Sequence, residues 1–113
     1  MLFSTIIFSS TAYSKIDFVD GGYDFVSNDS DPTGPSTNNH GTHVAGTIAS
    51  DNSPGYLNGM SVRVLPIRVL GDEGSGSFES IIEGLKYAGG ESNSSGATYQ
   101  SDQFPVTAIN MSL

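Results

Sequence analysis

Val62-Arg63-Val64-Leu65-Pro66-Ile67-Arg68-Val69-Leu70 is a near-continuous apolar run, interrupted only by Arg63, Pro66 and Arg68. A run of this kind fits a strand buried on both faces, as in a parallel sheet, better than a strand with one wet face. Pro66 lacks an amide donor, which predicts an irregularity in the middle of the strand. Immediately downstream, residues 71–76 are too rich in glycine for regular structure. Ser77 then opens a helix, in which Phe78, Ile81, Ile82, Leu85 and Ala88 recur at i, i+3, i+4, i+7 and i+10 and share one face. Gly89-Gly90 supplies its stop. Residues 91–104 are polar and irregular, and after Pro105 residues 106–111 form a last apolar run. Strand, helix and strand in this order predict a βαβ unit with parallel strands and a right-handed crossover. The fold class is therefore α/β, a parallel sheet with flanking helices.

Upstream of the apolar run, residues 51–59 read as a loop. Before them, Val44, Ala45, Ile48 and Ala49 form a helical stripe, with Asn38 and Asn39 as candidate caps. Gly41 and Gly46 lie inside this helix, where glycine costs about 0.5–1 kcal/mol against alanine. Their presence predicts close approach of another backbone. Residues 27–39 carry Asp29, Asp31, Pro32, Gly34 and Pro35 and almost no apolar side chain, a loop. Residues 16–19 and 23–26 are short strand candidates separated by Gly21-Gly22. The first residues are apolar and small. Ala12-Tyr13-Ser14 resembles a signal cleavage site, but no basic residue precedes Lys15. Residues 1–15 thus read as an N-terminal segment that is weakly signal-peptide-like or the start of a fragment, and residues 16–113 as the domain proper. There is no internal repeat.

The 113 residues allow one small domain with one core. With 36% hydrophobic and only 14% charged residues, the chain lacks the signature of disorder. Its formal charge is −8 and its four basic residues, Lys15, Arg63, Arg68 and Lys86, are scattered, so a phosphate backbone would be repelled and nucleic acid is not an expected partner. The absence of cysteine excludes disulfides and thiolate zinc sites. No run approaches the roughly 18 apolar residues of a membrane span, so no membrane partner is expected. Asp24, Asp29 and Asp31 could hold a structural calcium. Their spacing is not that of an EF-hand, and a solvated acidic loop is the plainer reading. Composition alone also leaves open a small acidic cation-binding domain.

The most specific stretch is Asn39-His40-Gly41-Thr42-His43-Val44-Ala45-Gly46-Thr47-Ile48-Ala49. Taken singly, His40 would read as a capping or solvent-facing histidine. In this setting it resembles, almost residue for residue, the active-site histidine motif of the subtilisin-like serine proteases (subtilases, peptidase S8). The resemblance implies that His40 is catalytic, and that His43 is structural, a core or hydrogen-bonded histidine. A metal shared by His40 and His43 is disfavoured: there are no other histidines, no cysteine and no glutamate in zinc-protease spacing. No metal is assigned.

The similarity continues. Residues 64–71 resemble the central strand of that family, and Asp72-Glu73-Gly74-Ser75-Gly76 resembles the edge on which its members lay an extended substrate. Glycine there leaves main-chain donors and acceptors unobstructed for an added strand. Ile109-Asn110-Met111-Ser112-Leu113 resembles the second wall of the same groove. The resemblance thus implies Gly74, Ser75, Gly76, Ser112 and Leu113 as substrate-binding residues. Leu70 and Phe78 could line a pocket or simply pack in the core.

Two motifs depart from the pattern. The family carries its aspartate on an earlier strand in Asp-Thr/Ser-Gly; here Val19-Asp20-Gly21 is the nearest imitation, a weak candidate, with Asp17 weaker still. That strand is expected to be missing or replaced by residues 1–14. Gly-Thr-Ser, the serine motif, does not occur in the sequence, and the resemblance places it downstream of Leu113. What the resemblance implies is a secreted, monomeric serine endopeptidase acting on peptides or proteins through a Ser-His-Asp triad, with no cofactor required. This chain carries the histidine and, alone, is expected to be inactive. The alternative is a catalytically silent remnant that binds peptides.

Overall fold

The structure is a computed structural model that describes residues 2–5, 16–33, 39–50, 53 and 62–113, the first four by their backbone alone. The expectations for Lys15, for Asn38 as a cap and for the bulk of the 51–59 loop lie outside these residues. Among the described residues the elements in chain order are β1 (Leu2–Thr5), β2 (Asp17–Phe18), β3 (Tyr23–Asp24), α1 (His40–Ala49), β4 (Arg63–Arg68), α2 (Phe78–Ala88) and β5 (Ala108–Asn110).

All strand pairs are parallel, as expected. β4 is the hub: it pairs with β1 on one side and with β2 and then β3 on the other, and β1 also pairs with β5. The order is β2-β4-β1-β5. The two strands of the predicted βαβ unit are therefore not neighbours, because β1 lies between them, with Phe3 opposite both Val64 and Ala108.

Side chains on β4 alternate between two cores, the two-residue period of a strand buried on both faces. Val62 and Val64 meet Ala45 and Ala49 of α1. Leu65, Ile67 and Val69 join Val19, Phe25, Tyr87, Ala88 and Tyr99 on the α2 side. The two helices thus cover opposite faces of β4. Pro66 falls where the partner edge breaks between β2, opposite Arg63 and Val64, and β3, opposite Ile67 and Arg68. Gly22 occupies the break: a Cβ there would lie 2.7 Å from the Pro66 carbonyl oxygen and 2.8 Å from Pro66 Cγ.

The second strand candidate is shorter than expected. After Asp24 the chain turns, because the Asp24 carboxylate accepts the amides of Val26 (2.7 Å) and Ser27 (3.0 Å). Asp24 and Asp29 close that turn by exchanging main-chain hydrogen bonds.

Helix α2 begins and ends where the sequence says. Ser77 is the N-cap, its hydroxyl accepting the Ser80 amide at 3.0 Å. At the other end Gly90, at φ +75°, sends its amide to the Tyr87 carbonyl, and Glu91 sends its own to Lys86, a Schellman stop. The predicted face is met in part: Ala88 is buried and Ile81 packs against the core, but Phe78 is 85% exposed and Ile82 49%, while Gly84 and Tyr87, outside the stripe, are buried. The helix settles on its glycine: a Cβ on Gly84 would stand 2.7 Å from Val69 Cγ1. The backbone of the helix approaches the sheet at Gly84, and Phe78 and Ile82 are left exposed.

Residues 91–107 are irregular but anchored. The Tyr99 amide donates to the Tyr87 carbonyl (3.1 Å) and its hydroxyl to that of Phe104 (2.8 Å). The Phe104 ring lies 4.0 Å beneath the Arg63 guanidinium.

Candidate active site

His40 is the first residue of α1, exposed, directly after the cap position Asn39. The Asn39 side chain makes no capping hydrogen bond; its carbonyl accepts the His43 amide at 2.9 Å and so starts the helical ladder. Gly41 and Thr42 turn inward while His40 turns outward. The second half of the helix is the packed half, through Ala45 and Ala49. The imidazole of His40 thus stands exposed on the first residue of a helix that is packed against β4.

His43 is exposed, which removes the core half of the expectation that it is a core or hydrogen-bonded histidine. At i+3 it shares the outward side of the first turn with His40. Gly46 also differs from expectation: among the described residues, nothing lies within 4 Å of a Cβ built there, so no packed backbone explains it.

The predicted substrate edge follows the carboxyl end of β4. In open α/β sheets this is the end at which ligands bind. Residues 72–78 are all exposed. The Gly71 amide donates to the Ser75 carbonyl (2.8 Å) and the Gly74 amide to the Gly71 carbonyl (2.9 Å), so residues 71–75 form a compact turn. Gly74 has φ +75°, and a Cβ on Gly76 would collide with the Val69 carbonyl oxygen at 2.4 Å. Glycine is thus dictated at both positions by the backbone itself. Leu70 packs in the core, 7% exposed. Phe78 does not join it. Ser112 and Leu113 follow the carboxyl end of β5, parallel to β4 through β1, and so belong to the same end of the sheet. Ser112 is half-buried against the Asn110 amide (3.0 Å), and Leu113 is 58% exposed.

The aspartates separate cleanly. Asp17 is bound to Arg63 Nε at 2.8 Å. Asp20 lines a cavity of about 360 Å³ with Arg63, Tyr87, Tyr99 and Phe104, whose walls do not include His40. Burial, with smaller contributions from Tyr23 and Tyr99, pushes the Tyr87 phenol above its ordinary value; it donates to the Gly21 carbonyl at 2.7 Å. In the acidic loop, Asp29 accepts the Asp31 amide (2.8 Å). Asp31 accepts the hydroxyl and amide of Thr33, which hold its carboxyl below the usual range. These two carboxylates cap their own turns.

Asp24 is different, and sequence reasoning missed its role. It is 1% exposed and pairs with Arg68, itself 5% exposed, at 2.7 Å. Arg68 also reaches Asp72 at 2.8 Å. An arginine inside an apolar run was the available signal, since a buried guanidinium requires a carboxylate.

Comparison with known proteins adds the family. The model of the Subtilase family, peptidase S8, matches residues 4–113. Subtilisin Savinase of Lederbergia lenta is 50% identical over 74 residues, 61% of this chain and 26% of that protein. Subtilisin DY of Bacillus licheniformis is 43% identical over 86 residues, 74% of this chain and 31% of that protein. The minor extracellular protease Vpr of Bacillus subtilis (strain 168) is 44% identical over 77 residues, 59% of this chain and 9% of that protein. The chain thus spans under a third of the length of these relatives. No solved structure gives a significant match.

Proposed function

Because the chain belongs to the subtilase family, we propose that it is a segment of a secreted serine endopeptidase in which His40 serves as general base and then general acid. The observation that carries this reading is the position of His40: the first residue of α1, exposed, within the motif His40-Gly41-Thr42-His43-Val44-Ala45-Gly46-Thr47. A serine hydroxyl is a weak nucleophile at neutral pH. An imidazole takes its proton as it attacks the scissile carbonyl and returns that proton to the leaving amine. A carboxylate on the other ring nitrogen fixes the tautomer and stabilises the imidazolium. The edge at Gly74, Ser75 and Gly76, which is exposed, and that at Ser112 and Leu113 would grip an extended peptide. The chemistry asks for no cofactor, and the partner is a protein or peptide substrate met by a monomer.

The test is hydrolysis of a peptide substrate by the full-length product of the gene that carries this segment. His40→Ala should lower kcat by several orders of magnitude, as loss of one triad member does. His43→Ala should have a far smaller effect. An equal rate in wild type and His40→Ala would overturn the reading.

One observation favours the alternative, a silent peptide-binding remnant. The strand between β4 and β5 reads Leu2-Phe3-Ser4-Thr5, with no carboxylate, and the Asp-Thr/Ser-Gly pattern is absent from the sequence. Peptide binding without His40-dependent cleavage would establish that alternative.

A further inference from the structure

We propose that Arg68 is a positioning residue that locks the substrate edge to the segment leading into the histidine helix; this rests on the reading of Gly74–Gly76 as a substrate edge. Arg68 is the last residue of β4 and is almost wholly buried. Its guanidinium splits between two carboxylates on different segments. Nη1 donates to Asp24 Oδ2 at 2.7 Å, and Nη2 to Asp72 Oδ1 at 2.8 Å.

Each carboxylate stands in a different segment, and that of Asp24 also orders its own turn. Asp24 uses its second oxygen to hold the amides of Val26 and Ser27, and its main chain closes onto Asp29. The Phe25 amide adds a bond to the Arg68 carbonyl at 2.8 Å. This is the beginning of the stretch that runs to His40. Asp72 stands in the Gly71–Ser75 turn, just before the three residues of the edge. β3 pairs with β4 at Arg68 and the Asp72 turn follows from the end of β4, so the planar fork adds a side-chain tie between two segments that meet at this strand end.

Charge shows why the arrangement is more than packing. A buried ion pair is weak as a source of net stability, because desolvation offsets most of the attraction; its best-attested use is to fix one geometry. The Asp24 arm is inside, with both partners buried. The Asp72 arm is partly open, its carboxylate 42% exposed, so it can be cut while the inner pair stays whole. A lysine at position 68 would keep the charge but lacks the fork that reaches both carboxylates at once.

The experiment compares Asp72→Asn, Arg68→Lys and their combination in the full-length protein, on two substrates. One is an extended peptide that would lie along residues 74–76. The other is a single-residue ester that needs no edge. The expected result is a loss of about tenfold in kcat/KM on the peptide, chiefly through KM, with the ester changed less than about twofold, and no added loss in the double variant. Amide hydrogen exchange at Gly74 and Gly76 should quicken in Asp72→Asn. Equal losses on both substrates would reduce Arg68 to a folding role, and unchanged peptide kinetics or exchange would overturn the proposal outright. In either case His40-dependent cleavage in the wild type keeps the functional reading intact. A wild type without such cleavage overturns that reading and carries this inference down with it.

Discussion

The two helices lie on opposite faces of the same strand and are held in contrasting ways. α2 has a side-chain cap from Ser77, an acidic residue in its first turn, a basic one in its last, a Schellman stop, and a glycine pressed onto Val69 and Ile67. α1, which bears His40, has neither a side-chain cap nor a charged residue at either end. Its buried contact is two alanines on two valines. The difference teaches where local code suffices. α2 is specified by its own residues, whereas α1 relies on the sheet it covers, and its polar and glycine positions answer to something other than helix stability.

Substitution at the paired glycines should separate the helices most. Gly84→Val drives side-chain atoms into Val69 and Ile67 and should destabilise by about 1–3 kcal/mol, read as a lower urea midpoint. Gly46→Ala meets no described neighbour and should stabilise by about 0.5–1 kcal/mol through helix propensity. A destabilising Gly46→Ala would mean that α1 is packed as tightly as α2.

The caps come next. Ser77→Ala should cost about 1 kcal/mol, and Asn39→Ala less than about half of that, since only the serine hydroxyl bonds a helix amide. Equal losses in urea unfolding would erase the asymmetry.

The smallest effect is acid sensitivity. The Lys86 ammonium, and then the Ser94 amide, hold the Glu83 carboxyl below its ordinary value. A lowered folded value means that the contribution is complete above the ordinary glutamate range and is lost as pH falls through the lowered one. The thermal midpoint of Glu83→Gln should therefore lie below that of wild type near neutrality, and the two should converge as pH falls through the ordinary glutamate range and below it. Parallel curves would exclude Glu83 as the source.

Much of the fold could be read from local signals. Ser77, Gly89-Gly90 and the β4 run gave true boundaries because caps, stops and apolar runs act over a few residues. The face of α2 was legible in its stripe only at Ile81 and Ala88. Phe78 and Ile82 match the period, but burial follows the nearest approach to a neighbour, and that lies at Gly84. The length of β3 depended on whether Asp24 would turn its carboxylate onto the next amides. At the candidate site, the motif around His40 was legible, whereas the fork of Arg68 joined positions 44 and 4 residues away, and only folding brings those together.

The placement of β1 bears on how the molecule comes to be assembled. Its partners are Arg63 to Pro66 on one side and Ala108 to Asn110 on the other, the latter more than a hundred residues away in the chain. A strand made before both of its neighbours must wait for them in turn, β4 first and β5 last. Pairings so distant are slow to find, because the loop must be closed before any contact rewards it. The sheet therefore cannot zip up from its beginning. Among the described strands β5, at the edge, is added last, and until then β1 offers an open edge to any other strand in reach.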